Sequence, residues 1–437
     1  MQVKYKLTVF LCCLFTAFQT NANGKEPVDY VDCFIGTSNS RWMLGPYAQM
    51  PFGMVQIGPD NQGNRWMGGY EYAINSVSAF SHIHAWTMGG LSMMPATADF
   101  TIENPGPDAP YKGANAGYHS RILKETEKAS PGYYEVELYD HRVKAAMTAT
   151  TRCSFQKYIF PECTDSRILM DLLFPTEWDY GFSVKEATIE QVSDTRIEGY
   201  AKCVSGAWSR WNDWTLYFSI RFSKPFDSFN GWKGTEVTEN INKISGSDEM
   251  GAYVTYKTAE NEEILIQTGL SLVSIEGARQ NLEKEMIRPF GWDFEACVNN
   301  ARQTWNSLLG KIKVEGGKEQ DKRKFYTNLY RAYSGNQTWN DIDGKYRDAC
   351  ENIQQLKPGQ AMYGGDAFWN SYWNLNGLWS IVSPEIIDNW VTTQLEMYRH
   401  TGWTSKGPAG IEYSGIMEGS HEVALMVAAY QKKIRKE

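Results

Sequence analysis

The sequence has little of what marks several common functional classes. Of its eight cysteines, Cys12 and Cys13 fall in an apolar leader, which leaves Cys33, Cys153, Cys163, Cys203, Cys297 and Cys350. None forms a Cys-x-x-Cys pair, which argues against a zinc ribbon or a thioredoxin-like motif. The six are too sparse for a disulfide scaffold, and their spacing fixes no pairing. A basic excess is missing too. Lys and Arg number 43 against 51 Asp and Glu, a net charge of -8, which argues against nucleic acid or an anionic membrane surface as partner. Past the leader, no apolar run is long enough to cross a bilayer. No glycine pattern cradles phosphate, and there is no Gly-x-Ser-x-Gly elbow. The carboxylates of Asp341-Ile342-Asp343-Gly344 faintly suggest a calcium loop, but the glutamate at loop position 12 is absent, so an EF-hand is rejected.

What is present is aromatic. The chain carries 16 Trp and 25 Tyr in 437 residues, a loading that suits stacking on sugars and that a β-rich core also absorbs. The length allows two or three domains. Residues 1–22 read as a signal peptide: Lys4 and Lys6, an apolar stretch from Leu7 to Phe18, then Thr20-Asn21-Ala22 as a cleavage site. No small residue precedes Cys12 and Cys13 as lipidation requires, so export as a soluble periplasmic, surface or secreted protein is expected.

Residues 25–286 read as a β-sandwich. Tyr133 to Phe160 alternates, and Ser166 to Phe174, Trp214 to Phe222, Met250 to Thr258 and Ile264 to Val273 are further strand-like runs. Turn signals such as Asn230-Gly231 lie between such runs. After Ser274 the period changes to that of helices, expected at Glu276 to Met286, Phe294 to Val314, Asp321 to Ser334, Phe368 to Val382, Glu385 to Thr401 and Gly419 to Ile434. Ser383-Pro384-Glu385 is a helix stop-and-start signal. Residues 287–437 are thus a helical unit with long loops.

Three stretches gather chemistry-bearing residues. Tyr363 to Trp379 places Trp369, Tyr372, Trp373 and Trp379 at helical spacing, with Asp366, Asn370 and Asn374 as a polar stripe. Indole faces beside amides and carboxylates suit a sugar, and a buried aromatic helix capped by Asp366 gives the same pattern. On a strand, His82 and His84 point the same way beside Trp86, as pocket residues, as a weak metal pair or as structural histidines. Glu412 and His421 lie on a loop, where binding groups tend to sit.

Taken in order, the motifs resemble glycoside hydrolase family 92, exported calcium-dependent α-mannosidases. The likeness runs through Phe34-Ile35-Gly36-Thr37, Pro51-Phe52-Gly53-Met54-Val55-Gln56, Gly69-Tyr70 and Phe80 to His84. It continues through Gly269 to Ser274, Ala278, Asn281-Leu282, Glu285, Phe325 to Tyr330, Asp341 to Arg347, Phe368-Trp369 and Met417 to His421. The resemblance implies an N-terminal β-sandwich followed by an (α/α)6-barrel, present here only in its first part. It also implies inverting hydrolysis of mannose-containing glycans, with calcium on the sugar hydroxyls. Segments matching the family's acid, base and most calcium ligands are expected beyond Glu437, so no catalytic residue is assigned and little activity is expected of these 437 residues. The substrate-binding candidates are Trp369, Asn370, Asp366, His82, His84, Trp86, Glu412 and His421. Trp369-Asn370-Ser371 departs from the family's Trp-Asp-Thr, and Asp366 one turn earlier is expected to compensate as the carboxylate. A non-catalytic carbohydrate-binding or surface glycan-assembly protein is the alternative.

Overall fold

The computed structural model describes residues 24–38, 44–61, 69–84, 89–97, 102, 117–172, 182–207, 210–247, 250–365, 368–409, 412–413 and 419–435. The leader, Trp86 and Asp366 lie outside these residues. From Ala48 to Ser271 the chain builds two antiparallel sheets that share one apolar core. The first runs Ala48–Gln49, Gln56–Asp60, Ala79–Ser81, Ser92–Ala96, Cys163–Asp171, Met250–Thr258, Ser228–Lys233, Glu236–Thr238. The second runs Lys243–Gly246, Ser183–Ser193, Arg196–Ala207, Arg210–Phe222, Glu262–Ser271, Cys153–Phe160, Val143–Ala149, Tyr133–Leu138, Lys128–Ser130. Period-two alternation sends Tyr134, Val136 and Leu138 inward, where each is fully buried. This is the expected sandwich.

One strand is buried on both faces. In Cys153–Phe160, Tyr158 and Phe160 enter the sandwich core, while Cys153 and Phe155 meet Leu282, Met286, Phe294 and Cys297 of the helices that follow. Helix α1 (Ile275–Leu282) starts where Ser274 accepts a bond from the Gly277 amide at 3.0 Å. It lies close on the second sheet because Gly269 lacks a side chain. A Cβ there would stand 2.4 Å from the Ala278 carbonyl and 2.7 Å from Leu282 Cβ. The last strand of the sandwich ends at Ser271, and α1 follows directly as part of its helical cover.

Then come α2 (Arg288–Phe290), α3 (Phe294–Leu309), α4 (Glu319–Ser334), α5 (Phe368–Ser371), α6 (Leu375–Val382), α7 (Pro384–Thr401) and α8 (His421–Gln431). Helix α7 begins at Pro384, as signalled, and ends at Gly402 with φ 79°. One expectation is corrected. Phe368 to Val382 is two helices, because Asn374 (φ -143°, ψ -44°) leaves helical geometry and its carbonyl starts a new ladder to the Leu378 amide. The four aromatics therefore share no face: Trp379 is fully buried, while Trp369, Tyr372 and Trp373 are exposed.

Sandwich and helices are joined by a plug and a polar seam. Phe52, on a sandwich loop, packs its ring 4.6 Å from Tyr363 and 5.6 Å from Trp379. Its backbone sits in the left-handed region (φ 53°), an uncommon place for an aromatic residue. Three bonds hold it there: its amide donates to the Tyr333 carbonyl (3.0 Å), and its carbonyl accepts from the Thr338 amide (2.9 Å) and hydroxyl (2.8 Å). In the seam, Glu285 accepts from the Thr150 hydroxyl and the Arg152 amide, both at 2.8 Å, and the Arg152 guanidinium reaches Glu285 and the Asn340 carbonyl. Asp341, 2% exposed, accepts from Ser271 Oγ at 2.7 Å and Asn281 Nδ2 at 2.8 Å. Among the described residues, no helix is long and apolar enough to cross a membrane. The six cysteines among the described residues are free thiols.

Candidate functional site

His82 and His84 follow the strand Ala79–Ser81 and are sealed inside the sandwich. His82 donates from Nδ1 to the Leu91 carbonyl (2.9 Å), and its Nε2 lies 2.9 Å from Ser154 Oγ. Burial lowers its pKa to about 4, so the ring is neutral at pH 7. His84 donates from Nδ1 to the Gln56 carbonyl (2.6 Å), places Nε2 3.0 Å from Asp60, and stacks on Tyr47 with centroids 3.7 Å apart. The described contacts of both rings are with the protein itself. Both imidazoles are buried, where they link neighbouring strands and a loop of the sandwich.

The helical half presents the accessible groups. Short helix α5 is pinned from below, since Phe368 is fully buried against Trp390 (4.9 Å) and its amide donates to the Lys406 carbonyl at 3.1 Å. That pinning turns Trp369 outward, 43% exposed, beside Tyr372 and Trp373. His421, at the start of α8, lies 5.1 Å from the Tyr372 ring. Of the expected residues, Trp369 thus lies on α5, and His421 lies against Tyr372, the residue that follows α5. Asn370 lies on α5 and Glu412 on a short strand, but their side chains are outside the described set.

Residues 402–407 are held from α7. The buried Gln394 donates from Nε2 to the Ser405 carbonyl (3.0 Å) and accepts from the Ser405 amide (2.8 Å). Beside them, Thr404 donates to Glu422 Oε1 at 3.3 Å, while Glu422 Oε2, Ser371 Oγ and Ser405 Oγ have no partner among the described residues. Glu422 is 4% exposed, and a buried carboxylate oxygen without a donor is costly. A pocket of about 260 Å3 is lined by Tyr372, Trp373, Asn376, Ser380, Leu425 and Lys432 among others. Neither carboxamide atom of the buried Asn376 has a partner among the described residues. Aromatic rings beside an unsatisfied carboxamide suit a hydroxylated ring.

Glu422, Ser405 and Asn376 were not expected from the sequence. The only signal was position: Ser405 and Glu422 flank the loop already marked by Glu412 and His421, and Asn376 lies two residues past Asn374. Among the described residues, no three His, Cys, Asp or Glu side chains come together to hold a metal.

Comparison with known proteins matches the glycosyl hydrolase family 92 N-terminal domain over residues 30–271 and the family 92 catalytic domain over residues 277–437. No curated protein matches. Among solved structures, a family 92 α-mannosidase from Bacteroides thetaiotaomicron is 26% identical with a TM-score of 0.82, over 95% of this chain and 55% of that one. The same enzyme in complex with mannoimidazole gives 25% and 0.82, over 94% and 54%. An inverting family 92 mannosidase from Bacteroides thetaiotaomicron VPI-5482, at 22% and 0.78 over 94% and 54%, shares the fold. The chain spans just over half the length of these relatives.

Proposed function

Because the chain belongs to glycosyl hydrolase family 92, we propose that this protein is an exported glycoside hydrolase acting on α-linked mannosides with inversion at the anomeric carbon. One observation carries the reading: the likeness to an α-mannosidase extends through sandwich and helices alike, over 95% of the chain. That relative is also known in complex with mannoimidazole. The outward rings of Trp369, Tyr372 and Trp373 support it, since a hexose offers an apolar C–H face to stack on and hydroxyls for hydrogen bonds.

Inversion needs two carboxyl groups on opposite sides of the sugar, one protonating the leaving oxygen and one activating water. We assign neither role to a residue of this chain. The roles left to it are binding and orientation, with Trp369 as stacking platform and Asn370, Asp366, Glu412 and His421 as hydroxyl partners. Calcium is part of the family resemblance; among the described residues no three His, Cys, Asp or Glu side chains come together to hold it.

The test is release of mannose from an aryl α-mannoside by the protein encoded in full, followed by proton NMR. The β-anomer is expected to appear first. Retention of configuration, or failure to cleave α-mannosides while cleaving another glycoside, would overturn the proposal. The replacement of Trp-Asp-Thr by Trp369-Asn370-Ser371 favours one second reading, a protein that binds mannosides without cleaving them. Mannoside binding with no turnover would select it.

A further inference from the structure

Away from the helices, the sandwich carries a pocket of about 430 Å3 lined by Ile74, Asn75, Arg121, Ile122, Leu123 and Tyr139 among others. Its walls are two short strands, Ser76–Val77 and Ser120–Arg121, paired in register Ser76 with Arg121 and Val77 with Ser120. Backbone bonds fix the rim. The Ile122 amide donates to the Asn75 carbonyl at 3.1 Å, and the Tyr139 amide donates to the Arg121 carbonyl at 2.8 Å. Strand Tyr133–Leu138 separates this place from the helices. Tyr133 at one end meets Phe294 of α3 (6.4 Å between ring centroids), and Tyr139 stands just past the other, ~20 Å along.

The chemistry of the pocket is neutral and amphipathic. Tyr139 is 52% exposed, and the Arg121 guanidinium lies 4.7 Å from its ring centroid. The positive charge of Arg121 is matched by Asp140, which accepts from Arg121 Nε at 3.0 Å and from the Arg121 amide at 2.7 Å. Lys124, the next cation along, is paired with Glu127 at 2.6 Å and lies over the exposed Tyr72 ring at 4.2 Å. An anionic ligand therefore finds no uncompensated charge among these two cations. An apolar floor of Ile74, Ile122 and Leu123, a half-exposed phenol ring and the exposed Asn75 amide fit a ligand with one apolar face and a hydroxyl edge. Its volume is within the range of small-molecule sites, ~300–1,000 Å3.

We propose that this pocket is a glycan-binding subsite that holds a mannose unit of a polymeric substrate against Tyr139. The proposal rests on the mannosidase reading for the identity of the sugar. A protein that grips a chain with its sandwich while the helical side takes a chain end gains effective concentration between the two.

The experiment is affinity electrophoresis of the protein in gels containing a soluble α-mannan or, as control, a soluble β-glucan. Wild type is expected to be retarded by the mannan and not by the glucan. Tyr139→Ala should weaken retention about tenfold, ~1.4 kcal/mol. Tyr139→Phe should keep most of it, and Asn75→Ala should show a smaller loss. Thermal unfolding confirms that each variant is folded. Unchanged retention in folded Tyr139→Ala, absence of mannan retention in wild type, or equal retention by glucan would each overturn the proposal. Trp369→Ala separates the two readings: mannan retention that survives it and needs Tyr139 supports the subsite even where aryl mannosides are not cleaved.

Discussion

Arg152 and Glu285 face each other across the seam between the sandwich and its helical cover, each side chain only about a tenth exposed. Glu285 also accepts from the Arg152 amide and the Thr150 hydroxyl, so one carboxylate gathers a turn of the sandwich onto the segment after α1. Replacing Arg152 with Ala leaves that carboxylate without its cation and the Asn340 carbonyl without its donor. Arg152→Ala is expected to destabilise the fold by about 3–5 kcal/mol. Urea unfolding measures this, and a change under 1 kcal/mol would contradict the account.

Asp341 gives the seam a pH dependence. Burial raises its pKa from 3.8 to about 6, opposed by the bonds from Ser271 and Asn281 and by the Arg152 charge. The fold therefore binds this proton more tightly than the unfolded chain does. Its stabilising contribution is complete below about pH 4 and is lost as pH rises through 6. Asp341→Asn, which keeps the shape without the charge, should gain stability relative to wild type between pH 4 and pH 7, on the order of 3 kcal/mol. Parallel stability curves for the two proteins would dismiss this assignment.

His82 acts with the opposite sign in an overlapping window. Its folded pKa lies near 4 against an ordinary 6.5. The contribution is complete above pH 6.5 and disappears as pH falls toward 4. A His82→Gln variant should have a flatter acid limb, by on the order of 3 kcal/mol across that range. Melting temperatures recorded from pH 4 to 7.5 decide it, and an acid limb as steep as that of wild type would refute the role.

Trp369 is outward because its neighbour Phe368 is the anchor. Trp369→Ala should therefore leave the melting temperature within a degree or two, as an exposed substitution does. The same change is expected to weaken mannoimidazole binding about tenfold by calorimetry, the loss of one stacked ring. Intact affinity would remove Trp369 from the site.

How much of this was legible in the sequence depends on how local the cause is. Tyr134, Val136 and Leu138 show their strand because they alternate with the polar side chains of Glu135 and Glu137. Ser274 and Ser383-Pro384 announce helix starts because capping is settled within a turn. The break at Asn374 had no such local signal in a run whose residues all tolerate a helix. The fates of His82 and His84 were out of reach, since the groups that claim them, Leu91, Ser154, Gln56 and Asp60, come from other strands and loops. Glu422 and Asn376 stand out only once their surroundings are known to lack a donor or acceptor among the described residues.

The double-sided strand Cys153–Phe160 limits how this molecule can be cut. A piece ending at Ser271 would keep every strand of the sandwich, yet Ala146, Cys153 and Phe155 would stand bare as an oily stripe once Leu282, Met286 and Phe294 were gone. Such a stripe invites self-association. The two halves are therefore not interchangeable modules, and swapping in a sandwich from another protein would require transplanting its helical lining with it.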